Sequence, residues 1–361
     1  MKIVHIVEPF AGGTYDFLVD LTNNLSEYRH IIIHGKRENT PENFEKDFPP
    51  GTEFIYWQNA TREINPKKDL NALFELLSIL KKINDIDIIH LHSSKAGFLG
   101  RLVARILGLS DKIIYTSHGV SFLRKDVSKL KQRMFVYLEK FATKLGGRVV
   151  ACSRSEAEEF RKYGINAEYI YNGVDCGFVN YRRDQNKNII IIGTIGRITY
   201  QKNPILFNEI AEYFSNKKNV KFLWIGDGES KEELKSKNIE ITGWLPKEKV
   251  SNYLNSIDIY LSTSLWEGLP LSVLQAMCKG KPLVLSDCVG NRDLVKNNVN
   301  GFLYKTKEEA IKNLEKLICD STLRLKFGQA SLNIVKKDFS VKNTVSRYKE
   351  LYKKVKNSKD S

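Results

Sequence analysis

The sequence predicts an α/β protein of two domains, each a parallel sheet wrapped by helices. Three observations carry this: short apolar runs alternate with amphipathic stretches, the alternation restarts after a single polar run, and the chain is longer than one ordinary core fills. Its 361 residues suit two domains of roughly 150 to 200 residues each. In the first series 2–7, 30–34, 53–57, 86–91, 112–117, 148–152 and 168–171 read as strands, being Val-, Ile- and Leu-rich and bounded by turn formers. Between them 14–25, 70–83, 97–107, 128–145 and 153–163 carry helical spacing. The run YRRDQNKN at 181–188 reads as a linker. A second series follows, with strands at 189–193, 220–225, 239–242, 257–262 and 282–286. The expected domains are therefore 1–180 and 189–340, with no solenoid repeat and no low-complexity segment.

Hydrophobic residues make up 42% and charged residues 27%, the balance of a folded chain. No apolar run reaches the roughly 20 residues that span a bilayer, and MKIVHIVEPFAGG has no signal-peptide core, so the expectation is a cytoplasmic protein. The five cysteines, Cys152, Cys176, Cys278, Cys288 and Cys319, are odd in number and lack Cys-X-X-Cys spacing, which argues against a disulfide framework and a zinc knuckle. The net charge of +15 is concentrated: 112–148 holds nine Lys or Arg against two acids, and 336–361 nine against three. No nucleic-acid motif accompanies these charges, so the expected partner is an anionic membrane surface and not a nucleic acid.

The segment STSLWEGLPLSVLQAMCK at 262–279 joins a strand end, a turn punctuated by Gly268 and Pro270, and a helix start. The free N–H groups of such a helix start suit phosphate or sugar hydroxyls, and Glu267 supplies a carboxylate beside them. Eight residues separate Glu267 from Gln275, a span of roughly 12 Å if all were helical. In GTIGRITYQKNP, Gly193 and Gly196 form a turn after a strand, and Arg197 and Lys202 bracket a loop where two cations would stabilise charge on a departing phosphate. Gly12, Gly13 and Thr14 form a second turn between strand and helix, open to close approach by a pyrophosphate. His118 closes another strand, at the end where ligands of such sheets bind. His90 and His92 lie two apart on one face, but no third ligand has matching spacing, so no metal is expected. Asp85 and Asp87 stand at the start of a strand, the wrong end for a site. His92, Ser93 and Lys95 are better placed for an acceptor pocket.

These motifs resemble those of the retaining glycosyltransferases of family four, whose signature is a Glu, seven residues, and a second Glu. The resemblance spans the whole chain. It implies the GT-B fold, two Rossmann-like domains facing across a cleft, with the final helix, about 341–361, crossing back to the first domain; Val341, Val345, Tyr348, Leu351, Tyr352 and Val355 form the apolar stripe this needs. It further implies that Glu267 and His118 hold the donor sugar, that Arg197 and Lys202 bind its phosphates, that Gly243 and Trp244 lie near the base, and that Gly12, Gly13, Thr14, Gly196, Gly268, Leu269, Pro270 and Leu271 line the donor site. The second Glu is Gln275 here, an amide with one acceptor and one donor group in place of a carboxylate, expected to meet the ribose.

The implied activity is metal-independent retaining transfer, without cofactor, of a hexosyl or N-acetylhexosaminyl group from a nucleoside-diphosphate sugar, expected to be UDP-linked, to a lipid-linked or growing polysaccharide acceptor. With no placed nucleophile, a front-face displacement in which the departing phosphate takes the acceptor proton fits. A GT-B epimerase or inverting transferase is the alternative within enzymes; the Gln275 departure motivates a pseudoenzyme scaffolding a membrane assembly. Lys129, Arg133, Lys140 and Lys144 form one helical stripe beside Leu130, Met134, Tyr137, Leu138 and Phe141, read as a surface shared with the basic C-terminus that attaches the protein to the inner face of the cell membrane.

Overall fold

The computed structural model describes residues 1–61, 65–177 and 188–358 and divides the chain into two units: Met1–Gly173 with Val341–Ser361, and Val174–Ser340. The linker read at 181–188 lies outside the described residues except for Asn188.

The first unit is built on strands β1 (Lys2–Val7), β2 (Arg29–His34), β3 (Glu53–Tyr56), β4 (Ile88–His92), β5 (Ile113–Thr116), β6 (Arg148–Ala151) and β7 (Ala167–Tyr169). Their order in the sheet is β3-β2-β1-β4-β5-β6-β7, all parallel. Side chains alternate across a strand, so each strand feeds two layers. Ile6, Ile33, Leu91 and Val149 face a core shared with α2 (Pro66–Lys81), α3 (Ser94–Ile106), α4 (Lys129–Lys144) and α5 (Arg154–Lys162); Ile3, Val7, Ile32 and Ile114 face the other layer, containing α1 (Gly12–Asn23).

The second unit contains β8 (Ile190–Ile195), β9 (Val220–Ile225), β10 (Ile239–Ile241), β11 (Ile259–Ser262), β12 (Leu283–Ser286) and β13 (Gly301–Tyr304), in the parallel order β10-β9-β8-β11-β12-β13. Its helices are α6 (Pro204–Tyr213), α7 (Lys247–Ser256), α8 (Leu271–Cys278), α9 (Asn291–Leu294), α10 (Lys307–Cys319) and α11 (Ser321–Asp338). The last helix, α12 (Val341–Asn357), belongs to the first unit. There Val341, Val345, Tyr348, Leu351, Tyr352 and Val355 pack in the α1 layer.

In both sheets the strand order reverses beside the first strand, at β1/β4 and at β8/β11. Adjacent crossovers leave in opposite directions at such a point and open a crevice at the strand ends.

Two expectations are corrected. Cys176 and Cys278 form a disulfide across 102 positions of sequence, because pairing depends on the 5.0 Å between their Cα atoms and not on spacing along the chain. Basic α4 and basic α12 lie in opposite helix layers of the first sheet, so they do not form one shared surface.

Candidate active site

In the second unit the reversal point gathers charge. β8 is followed by Gly196, whose φ of 145° favours glycine and whose Cβ position lies 3.2 Å from the Lys202 side chain. The chain then turns through a short 3-10 helix, Tyr200–Lys202, to Asn203. Asn203 takes the left-handed conformation that asparagine tolerates, and its side chain caps α6 at Leu206 N–H, with Pro204 in the first turn. This local design fixes the direction of the preceding lysine. Thr263, just past β11, clamps the same turn by donating to the Lys202 carbonyl at 2.7 Å.

Lys202 Nζ donates to Glu267 Oε1 at 2.6 Å, and Gln201 Nε2 donates to Glu267 Oε2 at 3.4 Å and to the Trp266 carbonyl at 2.9 Å. Glu267 is 7% exposed. Burial works against the Lys202 ammonium, but the Glu267 carboxylate outweighs it and holds the lysine pKa above its usual value. Gly290, at the start of α9, supports the other side: a Cβ there would meet the Gly268 carbonyl oxygen at 2.6 Å and the Glu267 Cβ at 3.1 Å. Gly268, Leu269 and Pro270 are buried, and α8 starts at Leu271, so only the latter half of the span from Glu267 to Gln275 is helical. Gln275 and Trp244 are exposed, and Gly243 has a φ of 70°. Arg197 is not drawn to Lys202; its Nε donates to Glu229 at 3.0 Å on the exposed surface.

In the first unit the reversal point is lined by histidine. His118 adopts φ 51°, rare for a residue with a Cβ, and Gly119 follows at 102°. Buried Glu156 holds this turn. Its Oε1 accepts from Ser117 Oγ at 2.9 Å, Gly119 N–H at 3.0 Å and Val120 N–H at 2.8 Å, and its Oε2 from Cys152 N–H at 2.8 Å. Burial raises the Glu156 pKa, and those four hydrogen bonds pull against it. The His118 ring lies between His92, at 3.0 Å, and Cys152 Sγ, at 3.6 Å, and burial lowers its pKa to about 3. Gly12, with φ 56°, and Gly13 are exposed at the start of α1, with Thr14 behind them.

The acceptor-pocket expectation changes here. His92 is fully buried, with both nitrogens hydrogen-bonded to other histidines, because its alternate position on β4 points into the α1 and α12 layer. The Lys95 ammonium is held by Asp69 at 2.7 Å, and the buried Ser93 hydroxyl has no hydrogen-bond partner among the described residues. His5, His90 and His92 bring ring nitrogens within 4.8 Å of one another, a grouping the sequence reading missed because His5 is on another strand. All six nitrogens of these rings hydrogen-bond to protein groups; those of His90 reach Tyr352 Oη at 2.7 Å and Thr116 Oγ1 at 2.8 Å. A metal would have to displace such bonds, so the residues fit an internal network better than a metal centre.

Gln201, Glu156, His5 and His30 were not singled out from sequence. Glu156 had a signal, the Ser-X-X-Glu capping box at Ser153, whose Oγ accepts from Glu156 N–H at 3.1 Å.

On α4, Lys129, Arg133, Lys140 and Lys144 are exposed, as expected of a surface stripe. Leu130, Tyr137, Phe141 and Met134 beside them are exposed as well, at 77%, 73%, 50% and 40%, while Phe135, Glu139 and Ala142 face inward. The apolar row is thus not a core face. With Leu138 it lines a groove of about 870 Å³. No helix among the described residues is long and apolar enough to cross a membrane.

Comparison with known proteins agrees with the fold described above. The family model described as Glycosyl transferases group 1 matches residues 179–333, and that described as Glycosyltransferase Family 4 matches 11–178. An Escherichia coli UDP-Gal:α-D-GlcNAc-diphosphoundecaprenol α-1,3-galactosyltransferase is 32% identical over 81% of each chain. The N,N'-diacetylbacillosaminyl-diphospho-undecaprenol α-1,3-N-acetylgalactosaminyltransferase of Campylobacter jejuni is 26% identical over 84% of this chain and 86% of that one. Among solved structures, Anabaena HepE in complex with UDP and glucose has a TM-score of 0.80 at 19% identity, covering 98% of this chain and 100% of that one. Sucrose-phosphate synthase from Thermosynechococcus elongatus has a TM-score of 0.82 at 16% identity, covering 98% and 99%.

Proposed function

This chain belongs to the retaining glycosyltransferases of family four, with the GT-B fold, and from that premise we propose that it transfers a hexosyl or N-acetylhexosaminyl group from a UDP-sugar to a lipid-linked saccharide during assembly of a cell-envelope polysaccharide. The observation that ties the reading to particular residues is the pair of half-buried Lys202 and buried Glu267, 2.6 Å apart at the reversal point of the second sheet, beside the first turn of α8. Support for the acceptor class comes from the names of the Escherichia coli and Campylobacter jejuni relatives, both acting on diphospho-undecaprenol-linked sugars. Support for the nucleotide comes from the same E. coli relative and from the UDP in HepE.

In this reading Glu267 accepts hydrogen bonds from donor-sugar hydroxyls while Lys202 and Gln201 fix the orientation of its carboxylate. The ammonium has two further protons, one of which reaches the diphosphate as its bond to the sugar breaks and negative charge collects on the departing oxygen. The free N–H groups of the first turn of α8 hold the same phosphates. Arg197 joins them by exchanging its exposed partner Glu229, a pair worth only about 0 to 1 kcal/mol, for the more highly charged diphosphate. The acceptor hydroxyl attacks on the face the diphosphate leaves, its proton passes to the departing phosphate oxygen, and configuration is retained with neither protein nucleophile nor metal. His118 is the first unit's assigned contact with the donor sugar, and Gln275 the contact with the ribose.

A lipid-linked acceptor requires an enzyme that works at a membrane surface. The exposed row of Leu130, Tyr137 and Phe141, flanked by exposed lysines and arginine, has the composition of a helix that lies in the interface of an anionic leaflet.

The test is a transfer assay with a panel of nucleotide sugars and a polyprenyl-diphosphate saccharide, with the anomeric configuration of the product read by NMR. Transfer with retention, undiminished by a metal chelator, is the expected result. Inverted product, or no turnover with any nucleotide sugar, would sink the proposal.

A further inference from the structure

All six histidines of the chain lie in the first unit, and four of them form a continuous row. His30 Nε2 faces the Leu25 carbonyl at 2.9 Å; His30 Nδ1 faces His5 Nε2 at 3.2 Å; His5 Nδ1 faces His92 Nε2 at 3.2 Å; His92 Nδ1 faces His118 Nε2 at 3.0 Å; His118 Nδ1 faces Cys152 Sγ at 3.6 Å. The row runs from β2 across β1 to β4 and ends in the turn after β5, under the layer of α1 and α12, where Phe17 packs edge-on to His118 with ring centroids 4.8 Å apart.

A carbonyl oxygen only accepts, so His30 carries its proton on Nε2. A neutral imidazole has one N–H, which leaves a lone pair on His30 Nδ1 and obliges His5 to donate from Nε2. The same step repeats at His92 and His118. At the far end the Cys152 thiol donates to His118 Nδ1, and burial keeps that thiol protonated by raising its pKa well above the ordinary value. Burial also lowers the pKa of each ring, so the neutral form at every position is the one the interior favours. Reversing the row would set two lone pairs against each other at 2.9 Å, between His30 Nε2 and the Leu25 oxygen.

The geometry assigns His30, His5 and His92 as positioning residues: one backbone carbonyl, acting through three rings, locks His118 as the neutral Nε2–H tautomer, whose Nδ1 can only accept and in the free protein accepts from the Cys152 thiol. The lock itself is independent of substrate; its catalytic consequence rests on the role proposed above for His118. A sugar hydroxyl meeting this ring nitrogen must then be the donor in that hydrogen bond, taking the place of the weak Cys152 S–H donor.

The experiment uses the full chain labelled with ¹⁵N-histidine, with long-range ¹H–¹⁵N correlation at neutral pH. The expected spectrum shows a protonated Nε2 and an unprotonated Nδ1 for His30, His5, His92 and His118. His5→Phe keeps a flat ring but removes both nitrogens, and is expected to leave His118 a mixture of tautomers and to lower kcat about tenfold with the KM for the sugar donor little changed, a fraction of what a wrong tautomer costs when the ring is itself the proton acceptor. His5→Gln, whose amide can donate to His30 and accept from His92, is expected to restore the His118 pattern and most of the rate. Wild-type His118 protonated at Nδ1 or at both nitrogens, or a pattern unchanged in His5→Phe, overturns the assignment. So does one equivalent of Zn²⁺ bound by wild type and lost in His5→Phe, which would make the cluster a metal site. An active His118→Ala enzyme whose remaining rings keep their Nε2–H pattern would remove the catalytic role of His118 and leave the row standing.

Discussion

Mild acid should unfold the first unit, and the size of the effect follows from its histidines. Burial lowers the pKa of His5, His30, His34, His90, His92 and His118 below the ordinary value, in the case of His118 to about 3. A group with a folded pKa below its unfolded value contributes stability that is present above the unfolded pKa, about 6.5 for histidine, and lost as pH falls toward the folded value. Between pH 7.5 and 5.5 the unfolded chain gains most of a proton at each histidine while the most deeply buried rings, His5, His90, His92 and His118, do not, a loss of about 1.3 kcal/mol per ring and about 5 kcal/mol for these four. Domain stabilities are about 5 to 15 kcal/mol, so a large part of the margin goes within two pH units. The assay is amide hydrogen exchange by mass spectrometry at graded pH, corrected for intrinsic exchange rates, with peptides from β1, β2 and β4 compared against β8 and β9. Protection in the first set should fall steeply below pH 6.5 while the second set, from a unit without histidine, changes little. Equal and small losses in both would refute the argument, because the native rings would then be taking up protons.

Glu267→Ala and Lys202→Ala should each lower activity at least about a hundredfold with the fold retained, as for the loss of one electrostatic stabiliser; near-normal steady-state rates would remove either residue from the site. Gln275→Glu should bind the UDP-sugar as well as wild type or better by calorimetry, since a carboxylate can accept from both ribose hydroxyls, and a large loss of affinity would mean the position serves another purpose. Glu156→Gln should cost about 1 to 3 kcal/mol of stability, because an amide nitrogen cannot accept from the buried Cys152 N–H, and should slow transfer by loosening the His118 turn; an unchanged denaturation midpoint would contradict this. Replacing Lys129, Arg133, Lys140 and Lys144 together by Glu should abolish co-sedimentation with anionic vesicles at low salt, each basic residue contributing on the order of 1 kcal/mol; equal binding by both proteins, or binding by neither, would exclude α4 as the docking surface.

Both sheets were readable from sequence because strands buried on both faces appear as nearly unbroken apolar runs; β1 and β9 fall on the expected residues. β13 was passed over because Gly301–Tyr304 is only four residues long and begins with glycine. Lys202 and Glu267 could be nominated from local motifs, and the contact between them spans 65 positions that only the folded chain closes. The histidine row was illegible for a similar reason: its members lie on different strands, and register decides that His5 pairs with His90 and Val7 with His92. The histidines inside these apolar runs, one in β1 and two each in β2 and β4, were the available signal. The exposed row on α4 shows the opposite failure, since helical spacing reveals that Leu130, Tyr137 and Phe141 share a face but not whether protein covers it.

The two reversal points solve different electrostatic problems with one topology. At β8/β11 a lysine is kept charged by a buried carboxylate, the arrangement suited to a ligand that arrives negative and becomes more so at the departing oxygen. Beside β4 and β5 every ionisable ring is held neutral by burial and by hydrogen bonds that leave no site for an extra proton. A cationic His118 would offer a sugar hydroxyl no lone pair at its ring nitrogens. On the role proposed above for His118, keeping that ring neutral and of one tautomer leaves its Nδ1 an acceptor for a sugar hydroxyl. The cost is the acid sensitivity worked out above, which falls on the unit that contains the row.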